Sequence, residues 1–170
     1  MNQLGEAIAL AADVHRGQVD KAGAAYILHP LEVMTRARDY YLAKSDGWQL
    51  DKIMIVAVLH DVLEDIEGEN VWDRARLRDR IYQTFGDDVY AAVDALTKYR
   101  TLETYDEYLD RVEKNWMARI AKIADLSHNL DAFRLPSGKI EERDFERWNK
   151  YHRALVRLMR VESSPPAPVA

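Results

Sequence analysis

Apolar positions recur at helical spacing through most of this chain. Leu4, Ile8, Ala11, Ala12 and His15 share one face over residues 3–16 and predict an amphipathic first helix. Gly17 and Gly23 bracket a loop, and His29-Pro30 then opens a second helix, with proline in the first turn where its missing N–H costs little. That helix carries Leu31, Val33 and Met34 and ends near Lys44-Ser45-Asp46-Gly47. Residues 49–64 form the most apolar segment, centred on Ile53-Met54-Ile55-Val56-Ala57-Val58-Leu59. Its β-branched content alone leaves a strand open. The run continues without a breaker through His60 to Glu64, too long for a typical strand, so a buried helix is predicted. Further helices are predicted over 71–84 and 87–98, separated by Phe85-Gly86, and from Tyr105 through Arg111. A long one covers Asn115 to Leu130, and the last covers Glu141 to Val161 with Phe145, Trp148, Leu155, Val156 and Met159.

A chain of 170 residues fits one domain with a sizeable core, here placed at residues 1–162. The end, Ser163-Ser164-Pro165-Pro166-Ala167-Pro168-Val169-Ala170, reads as a disordered tail. Nearly half the residues are apolar, about a third are charged, and Gly and Pro are sparse, which suits a compact, mostly helical protein. There is no cysteine, so any metal site must use nitrogen and oxygen ligands. A net charge of -5 without a basic stripe argues against a general nucleic-acid surface. A small anionic substrate remains compatible, because a metal and a few local cations can oppose the global charge. The N-terminus lacks the basic-then-apolar pattern of a signal peptide, and no apolar run approaches membrane-spanning length, so the expected location is the cytoplasm.

The candidate chemistry sits in Leu59-His60-Asp61-Val62-Leu63-Glu64-Asp65, with His29 and Asp125 as further metal ligands far from it in sequence. On a helix, Glu64 lies four residues beyond His60 and Asp65 four beyond Asp61, which would project both carboxylates near a metal held by His60 and Asp61. A metal-activated water beside a general acid or base suits hydrolysis. The plainer alternative is a salt-bridge network, with Lys122 or Arg119 as the partner of Asp125. Charged groups at the end of so apolar a segment need a partner or a metal either way.

The order His29-Pro30, His60-Asp61, Glu64-Asp65, Lys122-Ile123-Ala124-Asp125 and Asn129-Leu130 resembles the HD-domain metal-dependent phosphohydrolases. More narrowly, it is similar to the hydrolase domain of RelA/SpoT proteins and to the small alarmone hydrolases, from about His15 to Arg134. The resemblance implies an all-helical bundle, classed as all-α, with one divalent ion bound by His29, His60, Asp61 and Asp125. Two nitrogens and two oxygens with open positions suit Mn²⁺; Fe²⁺, Co²⁺ and Zn²⁺ also fit. By the same resemblance Glu64 and Asp65 handle the proton and position the attacking water, Lys21 contacts phosphate or nucleotide, and Asn129 lies beside the bound nucleotide. Alternatives from the residues themselves are a helix-end cap for Asn129 and a solvated loop position for Lys21, and Lys98 or Arg100 could join Lys21 in offsetting substrate charge. His15 and Gln18 match a first-helix His-x-x-Gln pattern, either in the second shell or as a core histidine with a satisfied hydrogen bond. Tyr105 and Tyr108 could line a pocket mouth, though a packing stripe explains them better.

Two positions depart from the alarmone hydrolases. Asp20 stands where an arginine is expected to stack on guanine, and Asp131 follows Asn129-Leu130 where arginine is usual. Both remove positive charge from the nucleotide's place. The implied reaction is removal of the 3′-pyrophosphate of (p)ppGpp. The rivals are the same site acting on a 5′-monophosphate or NADPH, and a non-catalytic scaffold that senses a nucleotide. The expected partner is a nucleotide rather than nucleic acid or membrane. Trp148, Tyr151 and Leu155 could make a homo-oligomer surface, although core packing explains them as well.

Overall fold

A computed structural model describes residues 2–20, 22–64, 73–99, 102–132 and 140–161. Eight helices occupy these segments: α1 (Gln3–Val14), α2 (Leu28–Leu42), α3 (Leu50–Val58), α4 (Arg74–Phe85), α5 (Asp87–Leu96), α6 (Tyr105–Lys114), α7 (Trp116–Asn129) and α8 (Glu142–Met159). No strand forms among the described residues, only an isolated bridge between Val19 and Ala25 in the loop before α2. The fold is all-α, as the apolar periodicity predicts.

Side chains start several of these helices by satisfying amide groups that have no carbonyl of their own to bond. Asn2 accepts from the Gly5 N–H at 2.8 Å, Asp73 from Ala75 at 2.9 Å and Asn115 from Ala118 at 3.0 Å. At α6, Thr104 and Glu107 cap reciprocally, each side chain taking the other's backbone N–H. Gly86 separates α4 from α5 with φ of 87°, a left-handed conformation that other residues adopt only with strain.

Helices α2, α3 and α7 pack against one another and form the centre of the bundle. Most of α7 is buried, and its Ala118, Ala121 and Ala124 let neighbouring backbones approach closely. Ile53, Val56 and Leu59 fill the space between α3 and its neighbours. Each such large apolar side chain, moved out of water, contributes about 1.5–3 kcal/mol. Around this centre, α1 lies on α3, the α4–α5 pair packs through α5 against α3 and α7, and α6 and α8 cover α7. In α8 Ala154 and Leu158 are buried and Tyr151 and Leu155 pack half-buried against the core, while its outer face meets solvent.

Two boundaries differ from the sequence expectation in ways that matter for the site. The helix predicted over 49–64 ends at Val58, and Leu59 to Glu64 form turns. Their bonds reach back three residues, from Val62 N–H to the Leu59 carbonyl at 3.2 Å and from Glu64 N–H to the Asp61 carbonyl at 3.0 Å. The His60 side chain explains the break. Its Nδ1 donates to the Ala57 carbonyl at 2.7 Å, the acceptor that Asp61 N–H would use if the helix continued. Likewise α5 ends at Leu96 instead of 98, with Thr97 extended and its hydroxyl donating to the Val93 carbonyl at 3.0 Å. The expected tail at 163–170 lies outside the described residues.

Candidate metal centre

Three separate pieces of chain deliver one cluster. His29 comes from the first turn of α2, His60 and Asp61 from the turns after α3, and Asp125 from the buried face of α7. One ligand atom each from His29, His60 and Asp125 lie within 4.8 Å of one another. His29 Nε2 is 3.2 Å from Asp125 Oδ1 and 3.3 Å from His60 Nε2. Asp61 Oδ2 joins from one side, 2.9 Å from His60 Nε2 and 3.6 Å from His29 Nε2. The residues expected as ligands are therefore brought together, although they are up to 96 positions apart in sequence.

Each member is held from behind. The Nδ1 of His60 is occupied by the Ala57 carbonyl, which leaves Nε2 pointing inward. The Nδ1 of His29 lies 2.8 Å from His128 Nδ1, the two rings stacked with centroids 5.0 Å apart. One of that pair donates and the other accepts. Tyr26 donates its hydroxyl to Asp61 Oδ2 at 2.7 Å. Asp125 accepts from Lys122 Nζ at 2.8 Å on one oxygen and from Asn129 Nδ2 at 2.5 Å on the other. Such outer contacts fix ring orientation and carboxylate direction in metal sites.

The electrostatics follow from burial combined with opposed charges. Burial alone pushes the His29 imidazole down, but hydrogen bonds to Asp125 and Asp61 outweigh it and raise its pKa to about 9. His60 is raised in the same way, with Asp61 foremost among the groups opposing burial. Burial would raise both carboxyls; instead His60 and His29 hold Asp61 well below the usual carboxylate range. Asp125 is held below that range chiefly by Lys122. With Lys122 included, these ionisable groups favour their charged forms because opposite charges face them, which makes a balanced set.

This donor set fits a divalent ion. Two imidazole nitrogens and two carboxylate oxygens converge from a buried wall, and both imidazoles are anchored through the nitrogen that faces away. No thiolate is available.

The remaining expected residues divide. Glu64 is half-buried outside the cluster, its Oε1 accepting from the Lys98 backbone N–H at 2.5 Å. The turns after α3 remove the helical register that would have aligned Glu64 behind His60, so Glu64 is placed by Lys98 instead. Asn129, at the end of α7, directs its amide to Asp125. Asp65 and Lys21 lie outside the described residues. His15 and Gln18 bond to each other at 2.8 Å, and the His15 ring lies 4.9 Å from that of Tyr26, which in turn reaches Asp61. Burial lowers the His15 pKa despite that hydrogen bond. Lys122 pairs with Asp125, as the salt-bridge alternative anticipated. Tyr26 and His128 went unremarked in the sequence. His128 stands three positions after Asp125 on one face of a helix, and that spacing was its only signal.

A cavity of about 480 Å³ opens beside His29 and His128, lined also by Asp20, Glu32, Arg36 and Asp131. Arg36 bridges Asp131 at 2.9 Å and Glu32 at 2.8 Å.

The family model for the HD domain matches residues 7–147. The chain belongs to the HD domain family. Similar proteins include two named guanosine-3′,5′-bis(diphosphate) 3′-pyrophosphohydrolase. The one from Borreliella burgdorferi is 30% identical over 136 residues, covering 74% of this chain and 18% of that protein. The one from Spiroplasma citri is 28% identical over 141 residues, covering 76% and 17%. A GTP pyrophosphokinase rsh from Brucella melitensis is 28% identical over 137 residues, covering 75% and 16%. This HD domain thus spans under a fifth of the length of these relatives. No helix among the described residues is long and apolar enough to cross a membrane.

Proposed function

We propose that this HD domain is a metal-dependent phosphohydrolase acting in the cytoplasm, and that it removes the 3′-pyrophosphate of guanosine-3′,5′-bis(diphosphate). The observation that carries the reading is the convergence of His29, His60 and Asp125 on one buried point, with Asp61 Oδ2 2.9 Å from His60 Nε2 and 3.6 Å from His29 Nε2. The names of the relatives from Borreliella burgdorferi and Spiroplasma citri support the substrate. A divalent ion, Mn²⁺ by preference with Fe²⁺, Co²⁺ or Zn²⁺ as substitutes, would supply a water of lowered pKa and an electrophile for a phosphate oxygen.

The protein's own groups do the rest. His29 and His60 present Nε2 because His128 and Ala57 hold their Nδ1 atoms. Glu64, oriented by the Lys98 amide, takes the proton of the attacking water, with Asp65 beside it in sequence as relay. Lys21 offsets phosphate charge, and Asn129 contacts the nucleotide. Water adds to phosphorus, the bond to the 3′-oxygen breaks, and that oxygen leaves with a proton. The products are GDP and pyrophosphate.

Hydrolysis by metal-stripped protein, with and without added Mn²⁺, tests this directly by chromatography. Release of GDP and pyrophosphate only when Mn²⁺ is present is expected. A bound ion without turnover would remove the alarmone as substrate.

One observation favours a second reading. Among the described residues, three carboxylates (Asp20, Glu32 and Asp131) and one guanidinium line the cavity beside His29. That lining suits a nucleotide with fewer phosphates, a 5′-monophosphate, or NADPH. Phosphate release across a nucleotide panel separates the two.

A further inference from the structure

On the Lys122 side of the charge-balanced cluster, three lysines gather around two tyrosines. Lys150 Nζ lies 3.9 Å from the ring centre of Tyr105, and Lys98 Nζ lies 5.4 Å from the same centre. Lys122 Nζ stands 5.4 Å from the ring centre of Tyr108, whose ring is 5.9 Å from that of Tyr105. The three lysines come from different elements: the loop after α5, α7 and α8. Among the described residues, Lys122 alone of the three has a carboxylate, Asp125. Lys98 and Lys150 form no ion pair among the described residues and share one aromatic ring between them.

Bringing like charges together without a counter-charge is unfavourable, and a ring's quadrupole offsets it only in part. Burial, together with the ammonium groups of Lys98 and Lys122, pushes the Lys150 ammonium below its ordinary value. The Tyr105 hydroxyl points to the same conclusion independently. It is buried and has no hydrogen-bond partner among the described residues, and a buried donor without an acceptor is costly. An anion beside Tyr105 would satisfy both the hydroxyl and the two ammonium groups.

Lys122 connects this cluster to the metal centre, since the carboxylate it holds is the one that faces His29. Lys98 connects it to Glu64 through its backbone N–H. An anion seated here would therefore lie one group away from the reacting centre. We propose that Lys98, Lys150 and the Tyr105 hydroxyl form a subsite for the outer phosphate of a diphosphate whose inner phosphate meets the metal centre. This deepens the phosphohydrolase reading and rests on it. The ligand class is a diphosphate, bound as a substrate arm or as released pyrophosphate. Orthophosphate is too short to occupy both places.

Calorimetric binding of inorganic pyrophosphate and of orthophosphate to the Mn²⁺-loaded chain tests the subsite without requiring turnover. The wild type is expected to prefer pyrophosphate by at least tenfold. Lys98→Ala with Lys150→Ala should abolish that preference while leaving Mn²⁺ affinity and melting temperature unchanged. Lys98→Arg with Lys150→Arg should restore it, and Tyr105→Phe should weaken pyrophosphate several-fold. Lys44→Ala with Lys52→Ala, near the opposite end of α3, removes the same charge and should have no effect. Retained preference in the double alanine variant, or equal loss in the distant pair, would overturn the subsite. Loss of preference without ppGpp turnover by the wild type would support the subsite and remove the substrate. Turnover with preference intact in the double variant would do the reverse.

Discussion

The two halves of the site hold charge in opposite ways. In the His29, His60, Asp61 and Asp125 cluster, each ionisable group faces an opposite one, and each imidazole is anchored from behind. Around Tyr105, two ammonium groups share one ring and a buried hydroxyl has no acceptor among the described residues. A balanced cluster can persist without ligand, its geometry set by its own members. An unbalanced one is incomplete without an anion. The contrast teaches which half is preorganised by the fold and which is completed by what binds.

Breaking the balanced half should have the largest effect. Asp61→Ala removes a carboxylate that lies near both imidazoles and is expected to lower Mn²⁺ affinity beyond roughly 100-fold and to abolish hydrolysis, since even supporting residues of metal sites are worth about 10–100-fold. Titration with Mn²⁺ followed by paramagnetic resonance reads this. Glu64 stands where the halves meet, bonded to Lys98 and outside the ligand group. Glu64→Ala should keep metal affinity within a few-fold and lower kcat by about 10²–10⁴, the usual contribution of a general base. A Glu64→Ala protein with wild-type turnover would remove that role.

His128 sharpens the account of preorganisation. His128→Leu removes the partner of His29 Nδ1 and is expected to weaken Mn²⁺ about 10–100-fold. His128→Asn places an amide oxygen where Nδ1 stood and should recover most of that loss, an outcome that lost packing alone would not produce. The smallest effect concerns α6, which carries both tyrosines of the unbalanced half. The Glu107 carboxyl is held below its ordinary value by the Thr104 backbone N–H and hydroxyl. A lowered folded-state pKa adds stability above the unfolded value, about 4.3, that is lost as pH falls through the folded value. The melting-temperature gap between wild type and Glu107→Gln should therefore be present at neutral pH and close below about pH 4.

Much of this molecule was legible in its sequence, for physical reasons. Helical periodicity located the described helices, because a bundle buries one stripe of each. His60, Asp61 and Asp125 stood out because ionisable groups at apolar segments need partners, while His29, and the four as one ligand set, came from the resemblance to the HD-domain phosphohydrolases. The end of α3 was not legible. Nothing in the apolar run shows that the His60 ring will take the Ala57 carbonyl and stop the helix before the residues that mattered. The supports Tyr26 and His128 were hidden because an aromatic or histidine near a ligand looks like core until the chain is folded. The lysine cluster was more hidden still. Lys98, Lys122 and Lys150 span 53 positions and meet only because α8 returns across α7.

Counting the bound ion tests the central claim most directly. Stripped protein titrated with Mn²⁺ should bind one ion per chain, and turnover should rise in proportion to occupancy. Replacing both His60 and Asp61 by alanine should abolish the binding without unfolding the chain. Turnover at full rate in stripped protein, or undiminished binding in the doubly substituted chain, would contradict the account.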